Sequence, residues 1–600
     1  MMTSTTIAAM FLDVCKRFEG NTNKIAFSRK TDGQWHSLTH DALRENVELF
    51  SDALLRNGIA PGERVGIISE NRTEWVVADF AMSCMGVIDV PIFPTLTAHQ
   101  AQHIFFDCQA AAVIVSNAIQ LKKIIAIWDD LPALRLVITM NTMPSDNPHV
   151  LSMQDMLDNS RTVSSVQERR ARIETVAQGI LPSDLLTLIY TSGTTGNPKG
   201  VMLTHGNLVA NISAGLRRIT VNEEDVFLSY LPMCHSYERM AGYYLAFSAG
   251  ASSYIAESIE SVAELMREVR PTIMTSVPRL FERIRARVLG AVEKDSSFKQ
   301  GTFRWAMRVG ERYEQGERGA ALRLQQVIAD KLVYAKIRER TGGRLRFFVS
   351  GGAALNHEVG RFFHIVGLKI VEGYGLTETS PVIAVHRLND IVLGTVGQPL
   401  DNVEVRIAPD GEILARGPSI MKGYWQEEEA TRESIDGDGW LHTGDIGEIT
   451  DKGHIRITDR KKHLLVSSGG KNMAPQTIES LILQSPFIDQ MMLIGDAREY
   501  CTALIVPDVD VVEAWAKRNA ISYINRNHLL ASSEVHRGIE AEINRLQRDL
   551  AKYERVRRFA IVSEPFSVEN GLLTPTLKVK RKAVLAAYSD IIDHLYEKPE

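Results

Sequence analysis

Between residues 63 and 140 four short apolar runs alternate with three stretches of helical apolar spacing, and this alternation limits the possible folds more than any other feature of the chain. The runs are ERVGIIS (63–69), GVIDVPI (86–92), AAVIVS (111–116) and LRLVITM (134–140). They do not alternate with polar residues, so each strand must be buried on both faces. That is the signature of a parallel sheet covered by helices. The intervening helices are expected at Thr73–Met85, with Asn71 or Thr73 as cap, from Thr97 to about Cys108, and at Ala118–Trp128. Upstream, the first sixty residues read as two helices around a hairpin, Ile25–Arg29 and Gln34–Leu38, with its turn at Lys30–Gly33.

The same pattern continues downstream. Asn207–Arg218 reads as a helix, and DVFLSYLP (225–232), TIMTSVP (272–278) and RLRFFVSGGAAL (344–355) as strands, the last followed by a glycine-rich turn. Residues from about 280 to 340 are helical and charged, and read as an exposed helical pair without chemistry. From Gly394 the texture changes to short strands with Gly and Asp turns, as in a small β-barrel. A charged turn in TDRKKHLLVSSGGKN (458–472) marks a domain boundary at Arg460–Lys462, beyond which CTALIVP (501–507) and RFAIVS (558–563) belong to a compact α+β domain. The fold class is therefore α/β: a large N-terminal domain of parallel sheets covered by helices plus a small β-barrel, then a small C-terminal α+β domain. Six hundred residues are too many for one core, which agrees with that division.

Net charge is −5, which argues against a general nucleic-acid binder. Cys15, Cys84, Cys108, Cys234 and Cys501 are scattered and odd in number, as in a reducing compartment rather than a disulfide framework. The N-terminus lacks the pattern of a signal peptide, and no apolar run is long enough for a transmembrane segment. These features point to the cytoplasm. They leave open a peripheral attachment at the inner face of a membrane and the choice between monomer and homodimer.

The stretch YTSGTTGNPKGVMLTH (190–205) joins two apolar strands by a loop of glycines, hydroxyls and one lysine. Small residues let backbone N–H groups approach an anion, the hydroxyls of Thr191, Ser192, Thr194 and Thr195 add donors, and Lys199 adds charge. Such clusters are also ordinary turns. The Walker pattern is absent, because Lys199 is followed by Gly200. Four other segments carry candidate chemistry: LPMCHSYER (231–239), VEGYGLTETS (371–380), WLHTGDIGEI (440–449) and NGLLTPTLKVKRK (570–582). Taken singly, each has a plainer explanation: a packed histidine, a glycine turn, an Asp turn and a solvated basic tail.

Taken together they resemble the adenylate-forming (AMP-binding) superfamily, over nearly the whole chain. HSYER with SGGAAL (350–355) looks most like its long-chain fatty acyl-CoA synthetases. The resemblance implies an ATP-dependent ligase that activates a fatty acid as acyl-adenylate and passes it to coenzyme A. Thr191, Ser192, Gly193, Thr194, Thr195, Gly196 and Lys199 would then bind phosphate, with Thr191 and Glu378 serving Mg²⁺. Tyr374 would stack on adenine, bordered by Gly352, Ala353, Gly373, Gly375 and Thr379, and Asp445 with Arg460 would hold the ribose. His235, Gly351 and Gly352 would line the acyl site. Lys578 would be the catalytic lysine, although this chain has T-L-K where many members have glycine before that lysine, which makes Lys580 the runner-up. Lys462 would be the hinge, and Gly469 and Gly470 would meet CoA. The implied domains are residues 1–459 for adenylation, 460–462 for the hinge, and 463–600 for a mobile domain. Three alternatives remain at this stage: a fatty acyl-AMP ligase loading a carrier protein, a ligase for short-chain or aromatic acids, and a non-catalytic acyl-binding scaffold.

Overall fold

The computed structural model describes residues 4–191, 198–461, 465–466, 468, 472–473, 475–567, 570–573 and 579–597. Contacts divide the chain into two units: Met1–Arg406 with Leu414–Thr443 and Ile449–Arg456, and Ile407–Ile413 with Gly444–Glu448 and Ile457–Glu600.

The first unit holds two large sheets. One has eight strands. From one edge these are Gly423–Tyr424, Lys199–Thr204, Leu185–Thr191, Ile88–Ile92, Arg64–Ile68, Ala112–Val115, Leu136–Thr139 and Val150–Ser152. The four apolar runs that open the chain all lie in it and pair in parallel. Their side chains alternate between two cores: Val65, Ile67, Ala112 and Ile114 point into one, and Ile68, Val113 and Val115 into the other. This two-sided burial explains why apolar residues do not alternate with polar ones along the runs. The second sheet has nine strands. Its middle strands, Val226–Ser229, Ile273–Ser276, Phe347–Ser350 and Lys369–Gly375, are also parallel. In both sheets antiparallel pairs occur towards an edge, Leu185–Thr191 with Lys199–Thr204 and Lys369–Gly375 with Val382–Val385.

Three sequence expectations need correction. The helix Thr73–Cys84 is capped by neither Asn71 nor Thr73. Its N-cap is Arg72, which makes no side-chain cap hydrogen bond. Asn71 is engaged elsewhere: its amide donates to Leu231 O at 2.6 Å and its carbonyl accepts from Met233 N at 2.8 Å. The helix from Ala118 ends at Ile125, short of Trp128, which begins a separate 3₁₀ turn. The expected exposed helical pair is instead a larger array, Pro278–Glu293, Ser297–Glu314 and Ala320–Ala329, the last running through a π turn to Glu339. One face of this array is buried through Leu280, Phe281, Phe303, Val309 and Val333.

The stretch read as a small β-barrel forms one four-stranded sheet, ordered Glu404–Ile407, Glu412–Arg416, Leu441–Ile449, Ile455–Arg460. The interior of the second unit is built on Ile488–Ile494, Cys501–Pro507 and Val556–Ile561. Here too period-two alternation fills two cores: Met491, Leu493, Ala503 and Ile505 face one, and Met492, Ile494, Leu504 and Val506 the other.

Candidate active site

In the first unit the strands Leu185–Thr191 and Lys199–Thr204 pair antiparallel, with Thr191 opposite Lys199, so these two residues form the neck of the glycine-rich hairpin. Ser192, Gly193, Thr194, Thr195 and Gly196 lie outside the described residues. The second strand also pairs with Gly423–Tyr424, Tyr424 standing opposite Val201. That register brings the Tyr424 ring to 5.3 Å from Lys199 Nζ. The Tyr424 hydroxyl donates to Glu378 Oε1 at 2.9 Å. Burial, and then the Glu378 charge, push the phenol far above its ordinary pKa, so it remains a hydrogen-bond donor. Lys199, Tyr424 and Glu378 thus form one continuous cluster from two motifs almost 180 residues apart.

Glu378 belongs to a 3₁₀ turn, Thr377–Thr379, after the strand Lys369–Gly375. Its backbone is fixed by the segment that supplies Tyr424, because Met421 N donates to Glu378 O at 2.8 Å. The turn needs glycine at 375, where a Cβ would overlap the Pro381 carbonyl oxygen. Thr379 is fully buried, and its hydroxyl serves the turn itself, donating to Pro381 O at 2.6 Å and accepting from Leu376 N at 2.9 Å. Thr377 faces the other way, its hydroxyl 3.2 Å from that of Ser236. Tyr374 is buried, with 8% of its surface exposed, and Gly373 lies beside it in the strand.

Ser236 follows His235, whose Nδ1 accepts from Tyr237 N at 3.2 Å and whose ring centroid is 6.5 Å from that of Phe93. The Tyr237 hydroxyl donates to Val349 O at 2.8 Å, in the strand that leads to Gly351. A Cβ on Gly351 would stand 2.9 Å from the Tyr237 ring, so the tyrosine and the glycine are matched. Gly352 has φ +81°, and Gly352 and Ala353 are exposed. The structure therefore gathers His235, Gly351, Thr377, Glu378 and Lys199 around one run of contacts.

The residues after Tyr237 carry no exposed chemistry. Glu238 is fully buried, accepting from Ser229 Oγ at 2.5 Å and from Thr275 Oγ1 at 2.6 Å, and burial pushes its carboxyl up to about 7. Arg239 is fully buried too, paired with Asp79 and, at 2.6 Å, with Asp89. This buried network anchors the segment that presents His235.

In the second unit Arg460 Nε lies 2.9 Å from Asp445 Oδ1, and Asp445 is buried. A ribose at Asp445 would have to share that carboxylate with Arg460. Gly444 N donates to Glu412 Oε1 at 2.8 Å, and Lys461 bridges Glu412 and Asp410 at 2.9 and 2.6 Å. Burial raises the neighbouring Asp459 carboxyl to about 6. Lys462, Gly469, Gly470 and Lys578 lie outside the described residues. Among the described residues no cluster of three or more His, Cys, Asp or Glu could hold a metal ion by itself. A hard cation that arrives on a phosphate needs only one or two protein oxygens. The half-exposed Glu378 carboxylate and Thr191, at the neck of the hairpin, fit that donor set.

Sequence reasoning missed Tyr424, Asn71, Arg239 and Glu412. Tyr424 lies in a GYW segment that reads only as strand texture. Asn71 meets Leu231, and Arg239 meets Asp79, each 160 residues away and beyond any local pattern.

Residues 15–425 match the family model described as AMP-binding enzyme, and residues 462–600 match that of the AMP-binding enzyme C-terminal domain. The chain is 33% identical over 586 residues to the long-chain-fatty-acid–CoA ligase FadD15 of Mycobacterium bovis, covering 96% of this chain and 94% of that protein. It is also 33% identical over 594 residues to the peroxisomal long chain acyl-CoA synthetase 7 of Arabidopsis thaliana, covering 94% and 82%. Among solved structures it resembles the anthranilate CoA ligase AuaEII in complex with anthranoyl-AMP, with a TM-score of 0.73 at 21% identity over 99% of each chain. At that identity the likeness concerns the fold alone.

Proposed function

The chain belongs to the AMP-binding enzyme family, and from that premise we propose that it is an AMP-forming long-chain fatty acid–CoA ligase. The observation that carries the reading is the cluster Lys199–Tyr424–Glu378, which joins the hairpin neck to the YGLTE turn at a single place. Similarity to long-chain ligases over nearly the whole chain supports the choice of substrate and of CoA as acceptor.

A fatty carboxylate has a pKa near that of glutamate, ~4.3, so it is an anion at neutral pH and attacks phosphorus without a general base. The obstacle is repulsion between two anions. Lys199 and the hairpin residues 192–196 hold the leaving phosphates, and Lys578 neutralises charge at the carboxylate and the α-phosphate. Glu378 and Thr191 would hold Mg²⁺, which would supply further positive charge against the repulsion between the two anions. Asp445 and Arg460 hold the ribose. Tyr374, with Gly352, Ala353, Gly373, Gly375 and Thr379, shapes the adenine site. His235, Gly351 and Gly352 border the acyl chain, where each buried CH₂ contributes ~0.8 kcal/mol. Pyrophosphate leaves and the acyl-adenylate forms; the CoA thiol then attacks the carbonyl and AMP leaves. Lys462 serves as hinge between the domains 1–459 and 463–600, with Gly469 and Gly470 at the CoA face. The same proposal places the enzyme in the cytoplasm with peripheral attachment to a membrane. Among the described residues no helix is long and apolar enough to cross one.

The test is pyrophosphate release across acids from acetate to eicosanoate, with and without CoA. We expect activity to rise with chain length and turnover to require CoA. Maximal activity on acetate or benzoate would refute the substrate class, and acyl transfer only to a holo-carrier protein would refute the acceptor.

A further inference from the structure

Asp445 and Arg460 lie on neighbouring strands, Leu441–Ile449 and Ile455–Arg460, with Arg460 Nε 2.9 Å from Asp445 Oδ1. A second set of contacts holds the residues beside them. Gly444, with φ +72°, turns the chain just before the buried Asp445. Both backbone groups of this glycine are engaged: its N–H donates to Glu412 Oε1 at 2.8 Å, and its carbonyl accepts from Lys461 N at 2.8 Å. The Lys461 ammonium then returns to Glu412 Oε2 at 2.9 Å. One carboxylate therefore ties the residue before Asp445 to the residue after Arg460. A tight hairpin supplies it. Gly411, with φ +86°, donates its N–H to Ala408 O at 2.8 Å, and Ala408 N donates to Glu412 O at 2.8 Å. The side chain of Glu412 is 4% exposed, against 51% for Asp410, the other acid on Lys461. An ion pair open to water contributes little, whereas a buried carboxylate depends on its donors. Of the two acids, Glu412 is the one that fixes its partners.

We infer that Glu412 is a positioning residue of the ribose site. Its Oε1 fixes the Gly444 turn and its Oε2 fixes Lys461, so that the acceptor Asp445 and the donor Arg460 stand together where a vicinal diol would be received. Each hydroxyl of a diol both donates and accepts, which matches that pair. A charged side chain holds such a geometry only when the residues behind it are themselves held. The inference rests on Asp445 and Arg460 being the ribose contacts proposed above. Glu412 acts on the diol contact alone, not on the adenine or phosphate contacts. Its mark is therefore a loss confined to nucleotides that carry the diol.

The experiment is calorimetric titration of the full chain with AMP and with 2′,3′-dideoxy-AMP, which lacks the diol. Wild-type protein should prefer AMP. Glu412→Ala should weaken AMP binding about tenfold, the scale of one hydrogen bond to a charged group, and leave dideoxy-AMP binding unchanged. Lys461→Met removes the charge, and Glu412→Gln keeps an acceptor for Gly444 N. Each should weaken AMP binding about threefold, and they carry the test if the alanine variant does not fold. Equal weakening of both nucleotides would show a general loosening and overturns the inference, as does unchanged AMP binding in the variants. A shift from Asp410→Asn as large as that from Lys461→Met also overturns it, in favour of the exposed acid. Asp445→Ala separates the positioning role from the reading beneath it. If that variant keeps the wild-type preference for AMP, or if wild type has none, Asp445 is not a ribose contact and both fall. If Asp445→Ala loses the preference while the Glu412 variants keep it, the positioning role alone falls.

Discussion

Replacing Tyr424 by phenylalanine removes one hydroxyl from the candidate site and little else. The ring that lies 5.3 Å from Lys199 Nζ is kept, and the hydrogen bond to Glu378 Oε1 at 2.9 Å is lost. A hydrogen bond to a charged group contributes ~1.5–3 kcal/mol. Glu378 is half-exposed, so water replaces part of what is lost. The lower end, ~1.5 kcal/mol, is therefore the right scale, and it corresponds to about tenfold in a binding constant. If Tyr424 orients Glu378 towards a phosphate-bound Mg²⁺, the Mg²⁺ concentration for half-maximal pyrophosphate release should rise by about that factor. Tyr424→Leu also removes the ring from Lys199, a contact worth ~0.5–1 kcal/mol at an exposed site, and should add a further two- to fivefold. The assay is a Mg²⁺ titration of pyrophosphate release at saturating fatty acid. A half-saturating Mg²⁺ concentration unchanged in the phenylalanine variant, or lowered, would refute the reasoning.

Three other outcomes are expected. Gly351→Ala places a methyl 2.9 Å from the Tyr237 ring, so it should cost about 1–3 kcal/mol in chemical denaturation and change the chain-length profile; an unaltered profile and stability would show that the ring moves freely. Glu238 has a folded-state pKa raised from 4.5 to about 7, so the folded protein holds this proton more tightly than the unfolded chain, and the group's contribution to stability is full below pH 4.5 and falls as pH rises to about 7. Glu238→Gln should abolish that fall, gaining up to about 3 kcal/mol on wild type between pH 4.5 and 7, and parallel denaturation curves at the two pH values would contradict it. Lys578→Ala should abolish adenylation while sparing thioester formation from supplied acyl-AMP, and equal loss in both half-reactions would move the role to Lys580 or elsewhere.

The sequence by itself determined the strands and their two-sided burial, because runs such as AVIV at Ala112–Val115 can be satisfied only inside a covered sheet. It also located the segments that carry chemistry, since glycine, hydroxyl and carboxylate spacings are local and can be read in order. It did not determine which atoms of those segments meet. That the hydroxyl of Thr379 is consumed by its own turn while that of Thr377 meets Ser236 depends on side-chain direction in a tight turn, which no spacing encodes. That Asn71 clamps the turn before His235 rather than capping its own helix was settled by a partner 160 residues away. Only the tertiary structure could place Tyr424 between Lys199 and Glu378, because that position follows from the register of one short edge strand. Pairing of that kind is decided by the packing of the whole sheet and not by the residues that are paired.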